Sequence, residues 1–196
     1  MSTPLRRIVD QLRRRGLLRS AEATAPGEAQ VTDVTTDSRA VAAGVLFCAI
    51  RGTTGDGHSF LRHAMDAGAV AALVEEADPT LPLVQIEVVN GRLAAAYAAA
   101  EHFRYPWREL TTVGITGTNG KTTSAAILRH LLSTAGPAAS IGTLGAVNAD
   151  GSVIPGSEGL TTPGPVEVAR WMRHLCDRGV AAVAMETSSH ALHQHR

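Results

Sequence analysis

Residues 111–128, TTVGITGTNGKTTSAAIL, constrain the fold of this chain more than any other stretch. An apolar, strand-forming run passes through a bend holding Gly117 and Gly120 into a run of helix formers that begins at Lys121. A chain that turns so tightly from strand to helix calls for a mostly parallel sheet with helices laid on its faces. The bend also has a chemical reading. Glycines let backbone N–H groups converge, and the start of a helix adds the partial positive charge of its unpaired N–H groups. Phosphate oxygens are what such a nest attracts, so Gly117, Thr118, Asn119, Gly120, Lys121, Thr122 and Thr123 are expected to hold the phosphates of ATP.

Within that loop Lys121 is expected to contact the β and γ phosphates, and the Thr122 hydroxyl to meet a Mg²⁺ ion bridging them. The spacing is a variant of the common phosphate-loop pattern: the position six residues before the lysine is Ile115, and the glycines stand four and one residues before it. Of the eighteen lysines and arginines, seventeen are arginine, and Lys121 is the one lysine. A compact ammonium is favoured where a planar guanidinium would not fit. A phosphate loop of this kind needs an acid at the end of a neighbouring strand, and VAAVAMETSS supplies Glu186 after a small apolar run. A carboxylate there is costly unless paired or metal-bound, so Glu186 is the expected second metal ligand and, with Lys121, a catalytic residue.

The rest of the chain supports an α/β fold. Leu5, Ile8, Val9 and Leu12 mark one face of a first helix with arginines opposite, expected to be capped at Ser2 or Thr3 with Pro4 in its first turn. VTDVTTDSR and VLFCAIRG read as two strands joined by a turn at Ala43-Gly44, followed by a helix from about Ser59 to Ala67. AVAALVEE and LPLVQIEVV read as further strands, and Gly91 to Phe103 as a helix. The break at Tyr105-Pro106-Trp107 divides an expected amino-terminal unit, 1–106, from a second unit, 107–196. That second unit reads as the strand and loop above, a helix from Thr122 to Ala135, the strand AASIGT, a polar hairpin-like loop, a helix from Pro165 to Arg178 and the strand ending at Glu186. Three parallel strands make an open sheet edge, so the chain is expected either to belong to a longer product or to need a partner there.

Composition excludes more than it assigns. Basic and acidic residues balance at eighteen each, which gives no general field for nucleic acid. No apolar run is long enough to span a bilayer, and no secretory signal is evident, which points to the cytoplasm. Cys48 and Cys176 lie in apolar stretches without metal-ligand spacing and are expected to be buried thiols in a reducing compartment.

The segment TGTNGKTT resembles the ATP loop of the Mur ligases. TTDSRAV, AGVLFCAIRG and GDGHSF resemble that family's amino-terminal, uridine-nucleotide-holding domain, and LTTP and METSSHALHQHR are similar to central-domain motifs of the members acting on UDP-N-acetylmuramoyl-L-alanyl-D-glutamate. The resemblance implies a small α/β nucleotide-sugar-binding domain followed by the first part of a P-loop parallel-sheet domain. It implies a ligase that uses ATP and Mg²⁺ to make an acyl phosphate of the substrate's glutamate, which an amino acid then displaces. Its partners are thus small molecules (a UDP-N-acetylmuramoyl dipeptide, ATP and an amino acid), with a monomer expected for the full-length enzyme. By the same resemblance Ser38 contacts the uridine end, and Thr161, Thr162, Ser188, Gln194 and Arg196 the muramoyl dipeptide. Gly52 to Gly55 touches the nucleotide; Asp56, Gly57 and His58 shape a turn; His190 serves local structure; His193 and His195 lie on the surface.

Thr187 stands where the family usually has valine. The family's later Asp-His pair, its carbamylated lysine and its carboxy-terminal domain have no counterpart in these residues, so the resemblance is to a front portion. Two other readings share the loop: a module that holds UDP-sugar or ATP without turnover, and another P-loop enzyme such as a kinase or a folate-type polyglutamate ligase.

Overall fold

A computed structural model describes residues 1–20, 29–52 and 55–193. The chain divides into two compact units, Met1–His102 and Phe103–Arg196.

The first unit opens with a short strand, β1 (Thr3–Pro4), that runs directly into helix α1 (Leu5–Arg14). Neither Ser2 nor Thr3 caps that helix. Pro4 is its N-cap, without a side-chain hydrogen bond, because Thr3 and Pro4 are paired antiparallel with β2 (Gln30–Val31). Proline tolerates this place, since the first N–H groups of a helix have no intrahelical partner. Leu5, Ile8, Val9 and Leu12 are buried as the sequence pattern requires, each such side chain contributing about 1.5–3 kcal/mol.

The remaining strands of this unit, β3 (Asp33–Thr35), β4 (Val45–Cys48), β5 (Ala71–Val74) and β6 (Gln85–Glu87), form an all-parallel sheet in sequential order. The turn at Ala43-Gly44 therefore closes no hairpin; the chain first makes a 3₁₀ turn at Ser38–Ala40, and β4 then runs alongside β3 in the same direction. Helix α2 (Leu61–Asp66) links β4 to β5, preceded by a 3₁₀ turn, Gly57–Phe60, that takes the first two residues of the expected helix. Helix α3 (Gly91–His102) packs against α1. Its buried alanines, Ala94, Ala95, Ala98 and Ala99, let the helices approach closely, and Arg7 reaches the buried Glu101 at 2.7 Å.

In the second unit β7 (Thr111–Ile115) leads through the glycine-rich bend to α4 (Lys121–Leu132). Then follow β8 (Ala138–Gly142), β9 (Gly145–Val147), α5 (Pro165–Asp177), β10 (Ala182–Glu186) and the short α6 (Ser189–His193). The sheet order is β7-β10-β8-β9, parallel except for β9. The expected hairpin-like loop thus adds a fourth, antiparallel strand, turning back at Thr143-Leu144. On the opposite side the sheet ends, among the described residues, at β7. Thr111 N–H donates to Ala181 O and Ile115 O accepts from Thr187 N–H, so strand alternation leaves the backbone groups of Thr112 and Gly114 facing the open edge. Of α4, Ala125 is buried, whereas Ile127 and Leu131 are exposed.

No helix among the described residues is long and apolar enough to cross a membrane. Cys48 is buried and Cys176 half-buried, and no disulfide joins them.

Candidate functional site

Parallel pairing brings the carboxyl ends of β7, β10 and β8 side by side. Glu186, the last residue of β10, lies opposite Ile115, while Met185 pairs with Ile141 one residue before the end of β8. The glycine-rich bend, the buried acid and the Thr143-Leu144 turn are thereby gathered at one end of the sheet, where ligands of open α/β sheets are bound.

The bend depends on its glycines for conformation. Gly117 has φ +148° and Gly120 φ +80°, values that L side chains rarely adopt. Gly120 is also the N-cap of α4, which has no side-chain cap, so the first-turn N–H groups remain available to an anion. Thr118, Asn119 and Thr123 are exposed around the bend. Lys121 folds back over it, Nζ donating to Gly117 O at 2.7 Å and Thr118 O at 3.2 Å.

Glu186 is only 2 % exposed, and three donors converge on it. Thr122 Oγ1 donates to Oε2 at 3.1 Å, Thr143 N–H to Oε1 at 3.0 Å, and Thr143 Oγ1 lies 3.2 Å from Oε2. Lys121 and Thr122 begin α4 and Glu186 ends β10, so side chains about sixty-five residues apart share one site. No group of three or more His, Cys, Asp or Glu side chains suited to a metal occurs among the described residues. The oxygens of Thr122 and Glu186 are the pair here that suits a small, hard cation.

The structure also shows where the residues expected to hold the second substrate lie. Thr161 Oγ1 is 3.1 Å from Thr143 Oγ1, close to the acid. Thr162 is buried and its hydroxyl is used by the fold, donating to Glu186 O at 3.3 Å and accepting from Ser188 N–H at 2.9 Å. Ser188 Oγ in turn accepts from Ala191 N–H at the start of α6. His193 is exposed. Gln194, His195 and Arg196 lie outside the described residues, as do Thr53 and Thr54 of the Gly52–Gly55 loop. Thr143 is the site residue that sequence reasoning missed; its only signal is a hydroxyl residue just past the end of an apolar strand.

Ser38 lies in the first unit. It lines an open cleft of about 500 Å³ with Thr36, Asp37, Arg39, Ile50 and Phe60. Asp37 accepts from Arg39 N–H at 3.0 Å and from its guanidinium at 2.7 Å, and that guanidinium holds the Asp37 carboxyl below its ordinary range. The GDGHSF segment forms a turn whose parts are fixed by hydrogen bonds. His58 Nε2 accepts from Glu75 N–H at 2.9 Å, which leaves the ring proton on Nδ1, 2.6 Å from Asp56 Oδ1. Asp56 also accepts from His58 N–H, and these contacts, the backbone one foremost, hold its carboxyl below the usual carboxylate range.

Two family models match the chain: "Mur ligase family, catalytic domain" over residues 30–107 and "Mur ligase middle domain" over residues 115–196. A UDP-N-acetylmuramyl-tripeptide synthetase from Deinococcus radiodurans is 44 % identical over 168 residues, 84 % of this chain and 34 % of that protein. A solved UDP-N-acetylmuramoyl-L-alanyl-D-glutamate–2,6-diaminopimelate ligase superposes with a TM-score of 0.74 at 22 % identity, covering 100 % of this chain and 38 % of the other. A MurF ligase from Thermotoga maritima in complex with ADP superposes at 0.56 and 23 % identity, covering 80 % of this chain and 32 % of that one. The chain therefore spans about a third of the length of the proteins it matches.

Proposed function

This chain belongs to the Mur ligase family, and on that footing we propose that it forms the nucleotide- and UDP-sugar-holding portion of a cytoplasmic, ATP-dependent amide ligase of peptidoglycan precursor synthesis. The reaction proposed for the whole enzyme joins an amino acid to the glutamate carboxylate of UDP-N-acetylmuramoyl-L-alanyl-D-glutamate through an acyl phosphate. The observation that carries the reading is the meeting of the phosphate-loop helix with a buried acid, Thr122 Oγ1 3.1 Å from Glu186 Oε2.

That separation is a test of fit for Mg²⁺. An ion about 2.0–2.1 Å from two neighbouring octahedral ligands sets those oxygens about 2.9 Å apart. Thr122 and Glu186 are within a few tenths of an ångström of this. With only two ligands from the protein, the remaining positions fall to phosphate oxygens and water, as Mg²⁺ prefers at nucleotide sites. When bound, the ion supplies charge neutralisation between the β and γ phosphates.

The chain's own residues supply the rest. The free N–H groups at the start of α4 and in the bend from Gly117 to Gly120 receive phosphate oxygens. An ammonium has three donors, and Lys121 uses two of them on the loop's carbonyls, which leaves one for the phosphate chain. The MurF ligase that shares this fold was solved in complex with ADP, which fits the proposal that this chain takes an adenine nucleotide. In the first unit the cleft at Ser38 has the size of a small-molecule site and is the proposed seat of the uridine end. Thr161 and Ser188, with Gln194 and Arg196, are the proposed contacts to the muramoyl dipeptide.

Calorimetric titration with Mg·ATP tests the reading. The chain should bind it, and Lys121→Ala should reduce affinity by at least about a hundred-fold, as expected when a charge-assisted phosphate contact of about 3 kcal/mol is lost. Unchanged affinity in that variant would refute the assignment.

A further inference from the structure

The turn between β8 and β9 contains a residue that the nucleotide reading leaves without a role. Thr143 offers Glu186 two contacts on two different oxygens: its N–H meets Oε1 at 3.0 Å, and its hydroxyl meets Oε2 at 3.2 Å. One contact would fix the position of the carboxylate; two fix its rotation about the last side-chain bond as well. Glu186 is buried, so bulk water is poorly placed to stand in for either donor.

The hydroxyl has only one proton to give. If Thr143 directs it to Glu186, its own oxygen is left to accept, and Thr161 Oγ1 lies 3.1 Å away to donate. The three side chains form a directed series, Thr161 to Thr143 to Glu186, that joins the 160–164 loop to the acid. Thr122 meets the same Oε2 from the phosphate-loop side. With Oε1 held by the Thr143 N–H, Oε2 is the oxygen presented toward Thr122.

We propose that Thr143 is the positioning residue for Glu186, its N–H and hydroxyl together aiming Oε2 at the cation site shared with Thr122. This rests on the reading of Lys121, Thr122 and Glu186 as a Mg²⁺–nucleotide site. Thr143 does not touch nucleotide in this role. It acts through the acid, so its removal should be felt in the part of nucleotide affinity that depends on the metal.

The test compares wild type, Thr143→Val and Thr143→Ser by titrating ATP in the presence of Mg²⁺ and again in excess chelator. Valine keeps the branched shape and the backbone N–H but loses the hydroxyl; serine restores it. Thr143→Val should bind ATP about ten-fold more weakly with Mg²⁺ and within about two-fold of wild type without it, with Thr143→Ser near wild type in both. Equal affinity of the valine variant with Mg²⁺, or an equal loss under both conditions, would overturn the proposal.

A second measurement separates this inference from the nucleotide reading. If wild type binds ATP under neither condition, that reading fails, and hydrogen exchange at the Thr143 amide then decides the positioning claim. Protection retained in Thr143→Val but lost in Glu186→Ala, with the Ile141 amide as a control for the fold, supports it. Equal protection of that amide with and without the Glu186 side chain overturns it.

Discussion

Gly142 lies so close to Glu186 that a β-carbon on it would overlap the Oε1, Cδ and Cγ atoms of that side chain. The end of β8 therefore lacks a side chain because the acid of β10 fills the space. Gly142→Ala must push the carboxyl group off its contacts with Thr122 and Thr143. The expected cost is about 1–3 kcal/mol of stability, read from urea unfolding, together with loss of Mg²⁺-dependent ATP binding in calorimetry. A variant that binds Mg·ATP as wild type does would show that the buried position of Glu186 is not needed.

The Ser38 cleft makes a separate prediction. UDP and UMP should bind the chain, and Ser38→Ala should weaken both by about three- to ten-fold, the worth of one neutral hydrogen bond. Lys121→Ala should leave UMP binding unchanged. Saturation transfer NMR with UMP measures this, and competition by uridine identifies the nucleoside end as the part recognised.

Much of this was legible in the sequence. The strand, glycine bend and helix at 111–128 announced themselves because one local pattern fixes all three, and Glu186 stood out as an acid closing an apolar run. Thr143 did not, because its role depends on β8 lying beside β10 in a register that places residues 142 and 143 against residue 186. Register is set by packing over the whole sheet, and no local pattern encodes it. The first helix failed in a related way: Ser2 and Thr3 have the chemistry of caps, but pairing with Gln30–Val31 takes the backbone at Thr3 and Pro4 into a strand.

Acid should weaken the first unit through Asp56. Its carboxyl is held below the ordinary range by His58, so the stabilisation is present above the unfolded value of about pH 4 and is lost as pH falls through the lower folded value. Urea midpoints should stay level from about pH 7 to 5 and fall below about pH 4. Asp56→Asn should flatten part of that fall.

Two consecutive residues after α3, Arg104 at φ +59° and Tyr105 at φ +52°, take left-handed conformations that glycine adopts without penalty. Tyr105 has compensation: its ring meets Trp107 edge-on at 5.7 Å, and the Arg108 guanidinium lies 4.3 Å over it. Arg104→Gly should therefore raise stability by about 0.5–1 kcal/mol. Tyr105→Gly should show no gain, since relieved strain is offset by lost ring contacts of similar size. Thermal melts of the two variants decide between them.

The place of β7 at the border of its sheet bears on how the phosphate loop behaves. Among the described residues β10 is clasped on both flanks by β7 and β8, whereas β7 pairs with β10 alone. Breathing of the fold should therefore begin at the strand that carries the glycine bend and reach the strand of Glu186 last. On the proposed reading the acid is the fixed post and the loop the looser jaw, and a strand pairing with the backbone groups of Thr112 and Gly114 would tighten the grip on nucleotide without touching it.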